Sequence, residues 1–373
     1  EWHEKMIYVT SFNVPLGWRN QEAHIYKLEA DVTYYFVKND YYFTRPGVYG
    51  HYDDGERYLF FSRAIMEAIH QLDFRPDVFH AHDWHTGMAV ALAKILQPVQ
   101  GMKVIYTIHN MKYQGEMPTE IYDDFFDDLA IEHMSGMEWN GQLNSMKAGI
   151  FHADKVTTVS PTYSEEIKHA YYGEGLDPIL NERAGDLVGI INGIDEREFN
   201  PLRDPHIQVN YRSAREKKMQ NKVWLQEHLG LPVDGEKPLY VMITRLSEQK
   251  GIHLLQPILD DFLQEDLQFI VLGTGDEDFE TYFHDLAQRY PDKVAALIQF
   301  DEALARQLYA SADFFLMPSK FEPCGLAQLM ALQYKTVPIV RETGGLKDTI
   351  QAFNEFTGEG NGLSFTNYNA HEL

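Results

Sequence analysis

The sequence predicts an α/β protein built from two doubly wound, Rossmann-like domains, and three observations predict it. Short apolar runs of about four to eight residues alternate with amphipathic stretches of about ten to fifteen, the rhythm of parallel strands and crossover helices. The rhythm occurs twice, on either side of DEREFNPLRDPHIQVNY, a polar stretch with two prolines that reads as a hinge. Polar and glycine residues gather where the strands end, the place where open α/β sheets bind ligands. These observations set domains at 1–195 and 196–373, with the site expected in the cleft where the two face each other.

In chain order, MIYVTSF (6–12) is strand-like and is followed by a polar loop through Ala30. DVTYYFVKN (31–39) is a second strand, and YYFTRPGVYG is an aromatic-rich loop with a Pro-Gly turn. RYLFFSRAIMEAIHQL (57–72) has helical spacing. DVFHAHD then reads as strand, GMAVALAKILQ (87–97) as helix, MKVIYTIHN as strand, and a long insertion follows. KAGIFHA is helical, KVTTVS is a strand, PTYSEEIKHA opens a helix with a Ser-Pro signal, and LVGIIN is the last strand before the hinge. After the hinge REKKMQNKVWLQEHLG is a charged helix stopped at Gly230. The strands PLYVMITRL, LQFIVLGTG, KVAALIQF, DFFLMPS and TVPIV follow, separated by the helices GIHLLQPILDDFLQ, FETYFHDLAQRY, EALARQLYASA and LAQLMALQY. ETGGL opens one more helix.

Composition narrows the function. With 56 acids against 32 bases the formal charge is −24, so there is no basic field to draw a nucleic acid. No apolar run reaches the ~20 residues of a membrane span. A single cysteine, Cys324, excludes an intrachain disulfide and fits a reducing compartment. An anionic ligand would need local cations to overcome the global charge.

Such cations occur in RLSEQKG (245–251), at the end of a strand and before a helix. Arg245 and Lys250 there suit a diphosphate clamp, since a guanidinium fork matches phosphate oxygens and an ammonium adds a point charge. SKFEPCG carries one carboxylate, Glu322, and ETGGL gives a second glycine loop; both feed helix starts, with backbone N–H groups expected to point outward. GTGD, from Gly273, lacks the third glycine of a dinucleotide fingerprint, which argues against NAD. HAHDWH (80–85) has Asp83 one position too early for a metallohydrolase pattern, so no metal is expected. His80 and His82 share a strand face and read as sheet packing, whereas Asp83 and Trp84 at the strand exit read as a sugar-binding pair. His109, in TIHN, ends the neighbouring strand beside Asp83. Phe300, a lone aromatic at the end of KVAALIQF, reads as core, with a base-stacking platform as the other reading.

HAHDWH, TIHN, INGID, RLSEQKG, FEPCGL and ETGGL, in this order, resemble the bacterial glycogen synthases and plant starch synthases, across essentially the whole chain. The resemblance implies the GT-B fold and a retaining transfer of glucose from ADP-glucose to the non-reducing end of an α-1,4-glucan, with ADP released and no cofactor. It implies that Arg245 and Lys250 clamp the diphosphate. Glu322 then lies by the transferred glucose, and the backbone of Cys324, Gly325 and Leu326 holds sugar hydroxyls. Thr343, Gly344 and Gly345 form the second donor loop, with Gly273 nearby. His109 and Asn110 line the reacting face, Asp83 lines the sugar pocket, and Phe300 stacks on adenine. Phe43, Arg45 and Trp84 fall near the sugar site, and Lys222 matches a cleft lysine. The implied location is the bacterial cytoplasm, or the plastid for a plant homologue.

The chain departs from the pattern in three ways. The Lys-Thr-Gly-Gly-Leu loop is absent, so the first domain is expected to lack its first strand and loop. The sequence stops at NAHEL, before the family's final crossing helices, and Ala327 stands where a hydroxyl residue is common. Three other readings compete: a related sugar-nucleotide transferase with another donor or acceptor, a metal-dependent hydrolase built on HAHDWH, and an inactive glucan-binding fragment.

Overall fold

A computed structural model of the chain describes residues 3–96, 101–126 and 131–373. It divides into two compact units, Glu1–Thr158 with Ser164–Gly189, and Val159–Tyr163 with Ile190–Leu373. The division falls before the boundary at 195 expected from sequence, and hydrogen bonds explain why. The Asn192 backbone N–H donates to the Cys324 thiol, tying the INGID segment to the second unit. Asp348 accepts from the Thr162 backbone N–H at 3.0 Å, from Thr162 Oγ1 at 2.6 Å and from the Ser160 hydroxyl, which draws Val159–Tyr163 to the same unit.

The first unit opens with an antiparallel sheet of β1 (Ile7–Leu16), β2 (Arg19–Glu29) and β3 (Thr33–Lys38). The stretch read as a polar loop is therefore β2. Gly17, at φ 57, makes a two-residue turn that pairs Leu16 with Arg19. The inward apolar residues of β2 are few: Ala23 and Ile25 alternate with polar neighbours, so the apolar signal is weak although both are buried. Val14 and Ala23 pack on Phe60 and Ala64 of the helix Asp54–Gln71.

A parallel sheet follows, assembled from β4 (Val78–His82), β5 (Lys103–Ile108), β9 (Lys155–Thr158) and β10 (Leu187–Gly189) in the order β10-β9-β5-β4. The insertion forms its own small sheet from β6 (Glu116–Pro118), β7 (Glu138–Trp139) and β8 (Gln142–Asn144). The helix Trp84–Ile95 lies against the helix Ser145–His152 so closely that a Cβ at Gly87 would stand 1.8 Å from the Ser145 carbonyl oxygen. Gln97, the last residue of the helix expected there, lies outside the described residues.

The second unit is one parallel sheet of β11 (Leu239–Ile243), β12 (Gln268–Leu272), β13 (Val294–Leu297), β14 (Phe314–Met317), β15 (Val337–Arg341) and β16 (Leu363–Phe365). Its order is β13-β12-β11-β14-β15-β16, so the strand sequence reverses between β11 and β14. Alternate residues face opposite layers: Val241 joins Leu225, Leu308 and Phe315 on one side, and Met242 joins Ile252, Phe283 and Leu316 on the other. Residues buried on both faces explain the continuous apolar runs. Pro257 separates the expected single helix into Ile252–Leu255 and Leu259–Phe262. The three-residue β16, after a glycine-rich loop, was too short to read from sequence. No helix among the described residues is long and apolar enough to cross a membrane.

Candidate functional site

The reversal between β11 and β14 is where an open α/β sheet leaves a crevice at its strand ends, and two loops enter it. The loop after β11 carries Arg245 and a short 3-10 turn, Glu248–Lys250. Gly251, at φ 76, lets this loop touch the exit of β14, where a Cβ would stand 2.0 Å from the Pro318 carbonyl oxygen. That approach sets Lys250 Nζ 2.7 Å from Glu322 Oε2. Ser319 Oγ donates to the same oxygen at 3.1 Å, and Glu322 is only 7% exposed. The buried carboxylate is thus neutralised and hydrogen-bonded at Oε2. Arg245 is exposed and has no ion-pair or hydrogen-bond partner among the described residues.

The expectation that both glycine loops point their N–H groups outward requires correction. In the second loop the Gly345 N–H donates to the carbonyl oxygens of Glu322 and Pro323, each at 3.1 Å, and the Thr343 N–H donates to Arg341 at 2.9 Å. A Cβ on Gly344 would lie 2.0 Å from the Glu322 carbonyl oxygen, and one on Gly345 would lie 2.1 Å from that of Cys324. Thr343, Gly344 and Gly345 are buried and form the floor under the Glu322 loop. In that upper loop, Gln328 Nε2 donates to the carbonyls of Cys324 at 3.0 Å and Gly325 at 2.9 Å. With those carbonyls turned inward, the N–H groups of Gly325 and Leu326 meet no protein acceptor among the described residues. Cys324 is buried, and burial pushes its thiol pKa up. Gly273 is a spacer too: a Cβ there would lie 1.8 Å from the Thr244 carbonyl oxygen.

Phe300 is 84% exposed, which overturns the core reading drawn from its isolation. Lys222 is corrected as well. Its ammonium is buried, donating to Asp313 Oδ2 at 2.7 Å and to the Gly235 carbonyl at 2.9 Å. Asp313 also accepts the Leu239 N–H at 2.8 Å, so this pair clamps the amino ends of β11 and β14, opposite the ends that carry Lys250 and Glu322.

In the first unit, Asp83 ends β4 and sits at φ 56, where a residue with a Cβ is strained. It occupies the N-cap position of the helix Trp84–Ile95 without capping it. Its Oδ1 instead accepts the His109 backbone N–H at 2.8 Å. His82 Nδ1 stands 3.0 Å from His109 Nε2, and His80 Nε2 stands 2.6 Å from Thr107 Oγ1. His80 and His82 share a face as expected, with rings 4.2 Å apart, but they are exposed rather than sheet packing. Period-two alternation was the available signal for His82; nothing in the sequence marked its bond to His109. Asn110 Oδ1 accepts the Lys112 N–H at 3.0 Å, closing a local turn.

Three residues expected near a sugar are already committed to neighbours. Trp84 packs against Tyr58, rings 4.7 Å apart, and a Cβ on Gly115 would stand 2.4 Å from its indole. Phe43 packs between Tyr42, Phe60 and Phe61. Arg45 holds Asp53 through 2.7 and 3.0 Å contacts and the Tyr41 carbonyl at 2.7 Å. Phe43 and Arg45 nonetheless line a cavity of about 430 Å³ with Arg57, Tyr58 and Phe61. Among the described residues no group of three or more His, Cys, Asp or Glu side chains is placed to hold a metal ion.

Comparison with known proteins gives a consistent picture. Residues 1–182 match the family described as the starch synthase catalytic domain, and 227–373 match glycosyl transferases group 1. The chain is 62% identical over 373 residues to a glycogen synthase of Oceanobacillus iheyensis, covering 100% of this chain and 78% of the relative. It is 50% identical over 381 residues to a glycogen synthase of Exiguobacterium sibiricum, covering 99% and 79%. Its fold matches the catalytic domain of starch synthase IV from Arabidopsis thaliana, bound to ADP and acarbose, with a TM-score of 0.90 and 31% identity. That match covers 98% of this chain and 78% of the other.

Proposed function

The chain belongs to the glycogen and starch synthase family of GT-B glycosyltransferases, and from that premise we propose that it transfers glucose from ADP-glucose to the non-reducing end of an α-1,4-glucan with retention. A nucleotide-sugar donor and a glucan acceptor follow from the family. ADP as the nucleotide is the finer step, supported by the ADP in the starch synthase IV structure.

One observation carries the reading: an unpaired Arg245 stands on the same strand-end crevice as the Lys250–Glu322 pair and the unengaged amides of Gly325 and Leu326. Breaking the glucose–diphosphate bond develops negative charge on the leaving oxygens and positive charge at the anomeric carbon. Arg245 supplies a cation for the first, and Lys250 cancels the Glu322 charge that would otherwise repel the diphosphate. Glu322 and the free amides shape the glucosyl pocket, and exposed Phe300 offers a face for adenine. We assign no cofactor and no metal, since side-chain cations and amides meet the charge that develops. With Glu322 Oε2 already bonded to Lys250 and Ser319, a same-face, oxocarbenium-like displacement suits the pocket better than covalent attack. The lone thiol of Cys324 suits the bacterial cytoplasm.

The test is Arg245→Ala. Glucosyl transfer, read as ADP released with glycogen as primer, falls by about 10²–10³-fold, while the melting temperature stays put because Arg245 has no ion-pair or hydrogen-bond partner among the described residues. Near-parent rates would remove Arg245 from the reading. A panel of ADP-glucose and UDP-glucose decides the donor.

A further inference from the structure

His82 takes no part in the chemistry above, yet it holds the ring of His109, the histidine that the family resemblance puts at the reacting face. Its Nδ1 lies 3.0 Å from His109 Nε2, with ring centroids 5.2 Å apart. The His82 backbone is pinned in turn. Its N–H donates to Thr86 Oγ1 at 2.8 Å, and that hydroxyl donates back to the His82 carbonyl at 2.8 Å. The His80 ring stands 4.2 Å from the His82 ring and is anchored at Thr107, whose hydroxyl lies 2.6 Å from that of Thr157.

We propose that His82 is a positioning residue for glucosyl transfer, fixing the ring orientation of His109 through the Nδ1–Nε2 hydrogen bond. This rests on the proposed transfer and on His109 lining its reacting face, as the family resemblance implies. The division of labour is geometric. Asp83 grips the His109 main chain, which leaves the ring free to turn about its side-chain torsions. His82, the residue before Asp83, grips the ring itself. Two consecutive residues at the end of β4 therefore fix separate degrees of freedom of one histidine.

The hydrogen bond holds in either tautomer: one proton lies between the facing nitrogens, donated by His82 Nδ1 or by His109 Nε2. The bond therefore ties the His109 ring to the His82 ring whichever nitrogen carries that proton, and fixes where His109 Nδ1 points. Burial, with the neighbouring histidine charges, pushes the His82 pKa down, which keeps that ring neutral.

The experiment uses the full chain labelled with ¹⁵N-histidine and reads two-bond ¹H–¹⁵N correlations of the His109 ring, assigned by their loss in His109→Gln. The parent is expected to show a His109 Nε2 resonance displaced by its hydrogen bond, and His82→Leu one without that displacement. His82→Asn is expected to restore it, because the Asn amide reaches the place of Nδ1. Turnover with ADP-glucose falls by about 10- to 100-fold in His82→Leu, the scale for losing a partner that orients a histidine, with the donor KM little changed, and His82→Asn recovers most of it. An unchanged His109 Nε2 resonance in His82→Leu overturns the proposal, as does a His82→Asn variant no better than His82→Leu. Should the parent release no ADP, the proposed function fails, and the ring-nitrogen measurement still decides whether His82 holds the ring.

Discussion

Asp83 Oδ1 accepts the His109 backbone N–H at 2.8 Å from a main chain held at φ 56. With ψ at 180°, this positive-φ backbone lies outside the left-handed helical well and costs a residue with a Cβ about 1–3 kcal/mol, and a carboxylate at an N-cap would ordinarily stabilise its own helix. Asp83 forgoes that cap and orders the neighbouring strand end. Asp83→Asn retains an acceptor at Oδ1 and the shape of the side chain, so melting temperature and His109 placement should survive. Asp83→Ala should lose about 1.5–3 kcal/mol of stability and about 10²-fold in turnover. Thermal melts and ADP release on both variants check this. A rate for Asp83→Asn as low as that of Asp83→Ala would assign the effect to the carboxylate charge rather than to placement.

Lys250 and Glu322 form a buried pair, with side chains 12% and 9% exposed. Removing one partner strands the other charge, at a cost of about 3–5 kcal/mol. Lys250→Met should therefore destabilise the second unit strongly. Adding Glu322→Gln should restore much of that stability, while neither single nor double variant transfers glucose efficiently. A double-mutant cycle in denaturant, read beside ADP release, separates the structural role of the pair from its chemical one. Additive stabilities would mean that the pair is not coupled.

The second unit was legible in sequence almost strand for strand, because residues buried on both faces leave unbroken apolar runs such as LQFIVL. The first unit was less so. β2 shows few inward apolar residues, Ala23 and Ile25 among them, within a mostly polar run, and the short strands of the insertion carry too few residues to show a period. At the site, residue identities were readable at strand ends, but hydrogen-bond commitments were not. Sequence places Gly345 and Gly325 alike in glycine loops, whereas only the fold reveals that the first amide is satisfied by Glu322 and Pro323. Phe300 looked like core because one aromatic at a strand end carries no directional signal, and Lys222 looked like a cleft residue because a helix position does not say which end of a sheet its side chain reaches.

His152 gives the first unit a pH dependence. Its Nε2 is buried without a hydrogen-bond partner, and burial, with the charges of His133, Lys147, Arg183 and Lys94, lowers its pKa from 6.5 to about 4. Between those values the unfolded chain binds a proton that the folded chain does not. Stability is thus fully present above 6.5 and is lost as pH falls towards about 4, with a slope approaching ~1.4 kcal/mol per pH unit. His152→Gln should flatten that slope. Denaturation midpoints collected from neutral to mildly acid pH check it, and an unchanged slope in the variant would assign the loss to other groups.

Lys222 and Asp313 make the corresponding test at the far end of the second sheet. The Lys222 ammonium is 3% exposed at the residue level and bonded to Asp313 Oδ2 and the Gly235 carbonyl, while the same carboxylate oxygen takes the Leu239 N–H at the start of β11. The pair joins the amino ends of the two central strands, so its removal should loosen the sheet without reaching the chemistry at the carboxyl ends. Lys222→Ala is expected to cost about 1.5–3 kcal/mol, the scale of a lost charge-assisted hydrogen bond, since Asp313 is 39% exposed and can still meet water. Turnover per folded molecule at low temperature should stay near that of the parent. A selective loss of turnover with the melting temperature preserved would return Lys222 to the cleft role that the family resemblance implied.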